Sequence, residues 1–267
     1  WGLPAGAIAS IAGEAVIMGI IPAGYAPFVF LILFGAPVVW LARLVGMSRM
    51  VDDAREWFPV GRILFHAAIA IGLALAISGV LTGFDPQGVT NDASAAVAKW
   101  LAAAQTDTPP PTAAEIEPIM RLYVSFMPAL LALLMVAITL LDLWLATLIT
   151  RASGRFERPR ERLWTVVLPN DALIAFAIAL ALAFLPGPPG DIASVFAGAL
   201  LAALVAVGLA VLHAVTLGMN ARPALLTAAY LLLLISGLPV IVFGIIGAGE
   251  NFFRLRARRF AGSSKTQ

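Results

Sequence analysis

Long apolar runs separated by short polar punctuation dominate the chain. Residues 3–22 (LPAGAIASIAGEAVIMGIIP) and 26–46 (APFVFLILFGAPVVWLARLVG) are the first two, followed by 61–82, 123–149, 172–186 and 191–217. Several approach or exceed the ~20 apolar residues that a helix needs to cross a bilayer. They are continuous rather than alternating, which excludes a transmembrane strand barrel. A last apolar block, 223–249, is broken at SGLP (236–239). Pro239 removes a helical hydrogen bond and Gly237 tolerates a turn. The block is therefore expected to form two short helices, 223–236 and 239–257, tilted or re-entrant. The pattern predicts an all-α fold: a polytopic transmembrane helical bundle with about eight membrane passes in this fragment. Residues 1–267 make a single integral membrane domain, its last two passes short and broken at Gly237/Pro239.

The polar intervals differ in sign. Residues 43–62 and 151–170 are rich in arginine, and so is the end of the chain, 250–267. Residues 83–122 carry Asp85, Asp92, Asp107, Glu115 and Glu117 against Lys99 and Arg121. Basic loops stay in the cytoplasm. The segments 43–62, 151–170 and 250–267 are accordingly expected inside, and 83–122 and 186–191 outside. The break at SGLP is what returns Arg254, Arg256, Arg258 and Arg259 to the inner side. Within the outer segment, NDASAAVAKWLAAA suggests a short surface helix started by an Asn or Asp cap. Val97, Trp100 and Leu101 share one face of it, so 93–104 is expected to lie amphipathically on the membrane or to cap the bundle. TDTPPPT reads as a stiff linker.

Composition agrees with this class. Of 267 residues 61% are hydrophobic and 12% charged, against roughly 25% charged in soluble domains. Mean hydropathy is +0.96. The net charge of +2 places arginines at membrane edges rather than on a nucleic-acid surface. The absence of cysteine removes disulfides, thiolate metal ligands and Cys nucleophiles. Phosphate-binding glycine loops, zinc-protease and serine-hydrolase motifs are missing, so no enzyme, cofactor or metal site is expected. The start at Trp1 has no basic stretch of a signal peptide, and an N-terminal piece is expected to precede it. The expected location is a bacterial inner membrane.

A few polar side chains interrupt the apolar runs. Asp142 lies in LLDLWLATLITR, about 13 Å along the helix from Arg151. A carboxylate at that depth is costly and should face protein or water. It is either a solute or cation contact, or one half of an interhelical hydrogen bond. Glu14 shares the small-residue face of Gly6 and Ser10, which suits helix packing. His66 and His213 have no common spacing and are expected to bond neighbouring helices rather than a metal. Trp144 is the aromatic candidate beside Asp142. Ridges at Gly198, Ala202, Ala206 and Ala210, and at Ala68, Gly72 and Ala76, read as close helix contacts. Arg151, Arg155, Arg158, Arg160 and Arg162 either anchor topology or contact anionic lipid or a partner, with Glu157 and Glu161 neutralising part of the charge.

Four stretches carry a resemblance: REWFPVGR (55–62), DLWLATLITRASGRFERPRERLWTVVLP (142–169), GLAVLHAVTLG (208–218) and RPALLTAAYLLLLISGLPVIVFGIIGAGENFFRLRARR (222–259). They resemble the alphaproteobacterial branch of the YybS-like integral membrane proteins, a family of unknown function, over nearly the whole chain. That branch reads Asn-Leu-Trp-Leu where this chain has Asp142, Leu143, Trp144 and Leu145. The family is distantly similar to the substrate-binding subunits of energy-coupling-factor vitamin transporters. The resemblance thus implies a solute-binding or transport-related subunit with membrane protein partners. Such a protein should hold a polar cavity lined by Glu14, Asp142 and aromatic side chains. The alternative is a structural or assembly subunit of a larger inner-membrane complex, with those carboxylates hydrogen-bonded in a dry interior. The lipid bilayer is the expected partner of either, nucleic acid of neither, and the small-molecule ligand is unspecified.

Overall fold

A computed structural model of the chain describes residues 2–20, 24–104, 109–161 and 166–257. Helix α1 spans Gly2–Ile20. Helix α2 covers 26–46 and contains a widened π turn at Leu31–Gly35. That turn sits where the ring of Pro37 would meet the carbonyl of Leu33 in a regular helix. A hairpin comes next, β1 (Ser48–Val51) against β2 (Ala54–Trp57). Then come α3 (Val60–Thr82), α4 (Pro86–Ala103), α5 (Ala113–Ala152), α6 (Asn170–Leu182), α7 (Pro188–Val215), α8 (Arg222–Ile235) and α9 (Leu238–Phe253).

Every expected span corresponds to a helix, but their lengths differ. Among the described residues four helices are long and apolar enough to cross a membrane: α2, α3, α5 and α7. The stretches Gly6–Ile20, Asn170–Leu182, Arg222–Ile235 and Leu238–Phe253 are shorter. At 1.5 Å per residue the last two reach about 21 and 24 Å, below the ~30 Å hydrocarbon core. The expected count of about eight passes is not supported by length: four helices reach spanning length and four apolar stretches are shorter. The break falls where expected, between Ile235 and Leu238.

Three further expectations are corrected. The fourth span is not 123–149 but the 40-residue α5, about 60 Å long. It starts at a capping box: Thr112 N–H donates to Glu115 Oε2 at 2.7 Å, and Glu115 N–H returns a bond to Thr112 Oγ1. The surface helix is longer than 93–104. It begins at Pro86, with Asp85 as the cap accepting from Gln87 N–H at 3.0 Å, rather than at Asn91 or Asp92. It packs on α5, while Trp100 is 70% exposed. The stretch 43–62 is not plain loop, because it folds the hairpin. Residues 105–108 of the linker and 258–267 of the basic tail lie outside the described residues.

Helix α7 is the centre. It is in contact with α3, α5, α6 and α9, and 67% of its most apolar stretch is buried, against 22% for α5. Small residues allow this. A Cβ on Gly198 would lie 1.9 Å from the carbonyl oxygen of Ala129, and one on Gly208 would lie 2.0 Å from that of Phe243. On the other side Gly247 of α9 abuts the carbonyl of Leu204. Gly72 of α3 receives the ring of Phe196. The expected small-residue ridges are therefore contact surfaces, as in membrane helix pairs generally. The small face of α1 does the same: Gly6, Ser10 and Gly13 meet Val39, Gly35 and Phe30 of the antiparallel α2.

The ends of the bundle are chemically distinct. Arg55 of the hairpin pairs with Glu157, and Arg158 reaches the carbonyls of Val45 and Phe58. Gly61 lies against Val167, and Arg256 bonds the carbonyl of Val166. The three basic stretches, as far as described, thus gather at one arginine end. The last turn of α3, the start of α4 and the first turn of α7 meet at the other, acid end.

Candidate pocket at the acid end

Four helices diverge at the acid end and leave a pocket of about 830 Å³. Val29 and Leu33 come from α2, Leu75, Ser78, Gly79 and Thr82 among others from α3, Met127, Pro128 and Leu131 from α5, and Asp191, Ile192 and Val195 from α7. Local sequence explains the opening. Helix α3 stops on Gly83 at φ 66°, whose N–H caps Gly79 and Val80, and the chain turns at once into the Asp85 cap of α4. Helix α7 starts after Gly187 at φ 75°, with Pro188 in its first turn, where the missing N–H costs nothing.

Two polar groups stand out in this apolar wall. Most helical Ser and Thr hydroxyls return a bond to a carbonyl one turn back: Thr82 to Ser78 at 2.8 Å, Thr90 to Pro86 at 2.8 Å, Ser94 to Thr90 at 2.7 Å, Thr139 to Met135 at 2.7 Å. Ser78 does not. It is 6% exposed, lines the pocket, and its Oγ has no hydrogen-bond partner. Asp191 is half-buried in the first turn of α7, where the helix dipole favours a carboxylate. Its main-chain carbonyl accepts from Ser194 Oγ at 2.7 Å, and no protein group among the described residues bonds its carboxylate. Asp85 and Gln87 complete the rim.

None of the sequence candidates lines this pocket, and the structure does not bring them together. Glu14 is half-exposed on α1, with Oε2 buried and unpartnered. His213 Nε2 lies 3.0 Å from Tyr230 Oη, an interhelical bond between α7 and α8. His66 lies among the rings of Trp40, Phe58 and Phe65. Trp144 is 49% exposed. Asp142 is exposed on α5. Leu140 and Leu143 pack on Leu41, Leu44, Val45 and Ile63, the turns that end α2 and begin α3. Asp142 is therefore level with Arg43 and Arg62, at the arginine edge. Helix α5 runs on past that edge to Ala152, so counting inward from Arg151 overstates the depth.

The arginine cluster divides. Arg158 is 5% exposed. It donates to Val45 O at 3.2 Å, to Phe58 O at 2.8 Å and from Nε to Glu161 at 3.0 Å. It is an internal strut, not a headgroup contact. Arg151 lies 5.0 Å from the Phe156 ring, and Arg155 and Arg160 are exposed. Arg162 lies outside the described residues. A second buried strut has no signal in the sequence: Arg256 Nε bonds Glu250 Oε1 at 2.8 Å, both side chains 6% exposed.

Comparison with protein-family models, with curated proteins and with solved structures finds no match.

Proposed function

We propose that the chain is a solute-binding or transport-related subunit of a bacterial inner membrane, and that its solute occupies the acid-end pocket. The pocket itself carries this reading: about 830 Å³ between the four spanning helices, within the ~300–1,000 Å³ range of small-molecule sites. Apolar walls with few placed polar groups are what such sites need. The acid end faces outside in this proposal, following the positive-inside rule. Eight passes remain part of it, with α6, α8 and α9 short enough to require tilt or local thinning. The resemblance to YybS-like proteins points the same way. An assembly subunit would hydrogen-bond Glu14 and Asp142 in a dry interior, whereas Asp142 is exposed and Glu14 Oε2 has no partner.

The test is native mass spectrometry of protein purified without added ligand. We expect a non-lipid small molecule that leaves when Leu131→Trp fills the pocket. The same spectrum from parent and variant, with bilayer lipid alone, would overturn the reading.

A further inference from the structure

The charge of the pocket wall narrows the solute, an inference that rests on the solute-binding reading. We infer that the pocket takes an amphiphilic ammonium compound: one N–H-bearing cation on an apolar body. The ionisable residues lining it are Asp85 and Asp191, and no Lys, Arg or His is among the lining residues. Asp85 already spends Oδ1 on the Gln87 N–H, whereas the Asp191 carboxylate has no side-chain bond among the described residues. Ser78 Oγ is buried and unpartnered in the same wall.

An ammonium group suits this wall. Its charge meets Asp191, and its N–H groups offer donors to the carboxylate. An anion would meet two carboxylates in a setting where repulsion is poorly screened. A neutral alcohol would leave the Asp191 charge uncompensated. A bare metal ion would find few oxygen ligands: besides the two aspartates and Ser78, the side-chain oxygens of the wall are those of Gln87 and of Thr82, whose hydroxyl already bonds Ser78 O. Most of the other lining side chains, among them Val29, Leu33, Leu75, Leu131 and Val195, suit a hydrocarbon or aromatic body.

The experiment uses the whole protein in phosphatidylglycerol nanodiscs, with empty nanodiscs as the partition control. Calorimetry compares three probes of one shape: naphthylethylamine, naphthylethanol and naphthylacetate. The amine should bind tightest and the carboxylate weakest. Asp191→Asn should weaken the amine roughly tenfold or more and leave the alcohol unchanged, and that alcohol binding also reports a folded variant. Equal affinity of the three probes in the parent, abolished by Leu131→Trp, would leave a solute pocket and overturn the ammonium inference. Amine binding unaffected by Leu131→Trp would overturn the pocket as the site. No binding of any probe would overturn the inference outright. Adding phosphatidylethanolamine separates the sources. Competition with the amine assigns the ammonium to a lipid headgroup and overturns the free-solute reading while leaving the ammonium site, and its absence assigns it to a free solute.

Discussion

Arg158 Nη1 donates to the main-chain carbonyl of Val45 at 3.2 Å, across 113 residues of sequence. The same guanidinium serves Phe58 O and Glu161, so one side chain ties the end of α2, the exit of the hairpin and the arginine loop. The carbonyl of Val45 is at the helix end, where carbonyls lack internal donors. Arg158→Ala would strand buried acceptors and should cost about 1–3 kcal/mol. Arg158→Lys should recover only part of that, because an ammonium cannot reproduce the planar fork. Thermal unfolding in detergent measures both. An Ala variant as stable as the parent would show that the strut carries no energy.

Glycines separate just as sharply. Gly208 has no room for a methyl group against Phe243, while Gly237 has nothing within 4 Å. Gly208→Ala should push α9 off α7 and cost about 1–3 kcal/mol. Gly237→Ala should stay within about 0.5 kcal/mol of the parent. The same thermal measurement ranks the pair, and a reversed order would refute the packing contact.

Helix positions, the SGLP break and the small-residue contacts are legible in the sequence because they depend on local hydropathy and on residue size. The start of α5 is written there too, since Thr112 and Glu115 form the Ser/Thr-x-x-Glu signature of a helix start, but the stiff prolines before it and the acidic charge around it mask the helix. The hairpin is hidden because β1 is exposed throughout and gives no alternation, and its turn is Asp52-Asp53 rather than Asn-Gly. The pocket is hidden for another reason. A serine in an apolar helix usually bonds its own backbone, and nothing in the string marks Ser78 as the one that does not.

That turn is itself testable. Asp52 and Asp53 have φ of 46° and 63°, a left-handed conformation that glycine adopts at no steric cost. Asp53→Gly should stabilise the hairpin by up to about 1 kcal/mol. Slower amide exchange at Arg49 and Glu56, a hydrogen-bonded pair of the ladder, is the expected readout, and faster exchange would contradict it.

Orientation is open to labelling in this cysteine-free chain. Ser94 is a poor probe position because it is 2% exposed. Ala96 and Ser153 are exposed at opposite ends of the bundle. With the acid end outside, an impermeant thiol reagent on intact cells should modify Ala96→Cys and spare Ser153→Cys. The opposite pattern would invert the proposed topology.

Asp142 supplies the last prediction. A carboxylate deep in a bilayer needs a partner, and removing it should then strand that partner. The structure instead puts Asp142 on the exposed side of α5, with Leu140 and Leu143 packing at the last turns of α2. There no protein group among the described residues bonds the carboxylate, so it strands nothing when lost. Asp142→Leu and Asp142→Asn should therefore both stay within about 0.5 kcal/mol of the parent. Neither should change amine binding at the far end of the bundle. If Asp142→Leu instead lowers thermal stability while Asp142→Asn does not, the side chain has a hydrogen-bond partner in the membrane, and this face of α5 is covered by another protein in the bilayer.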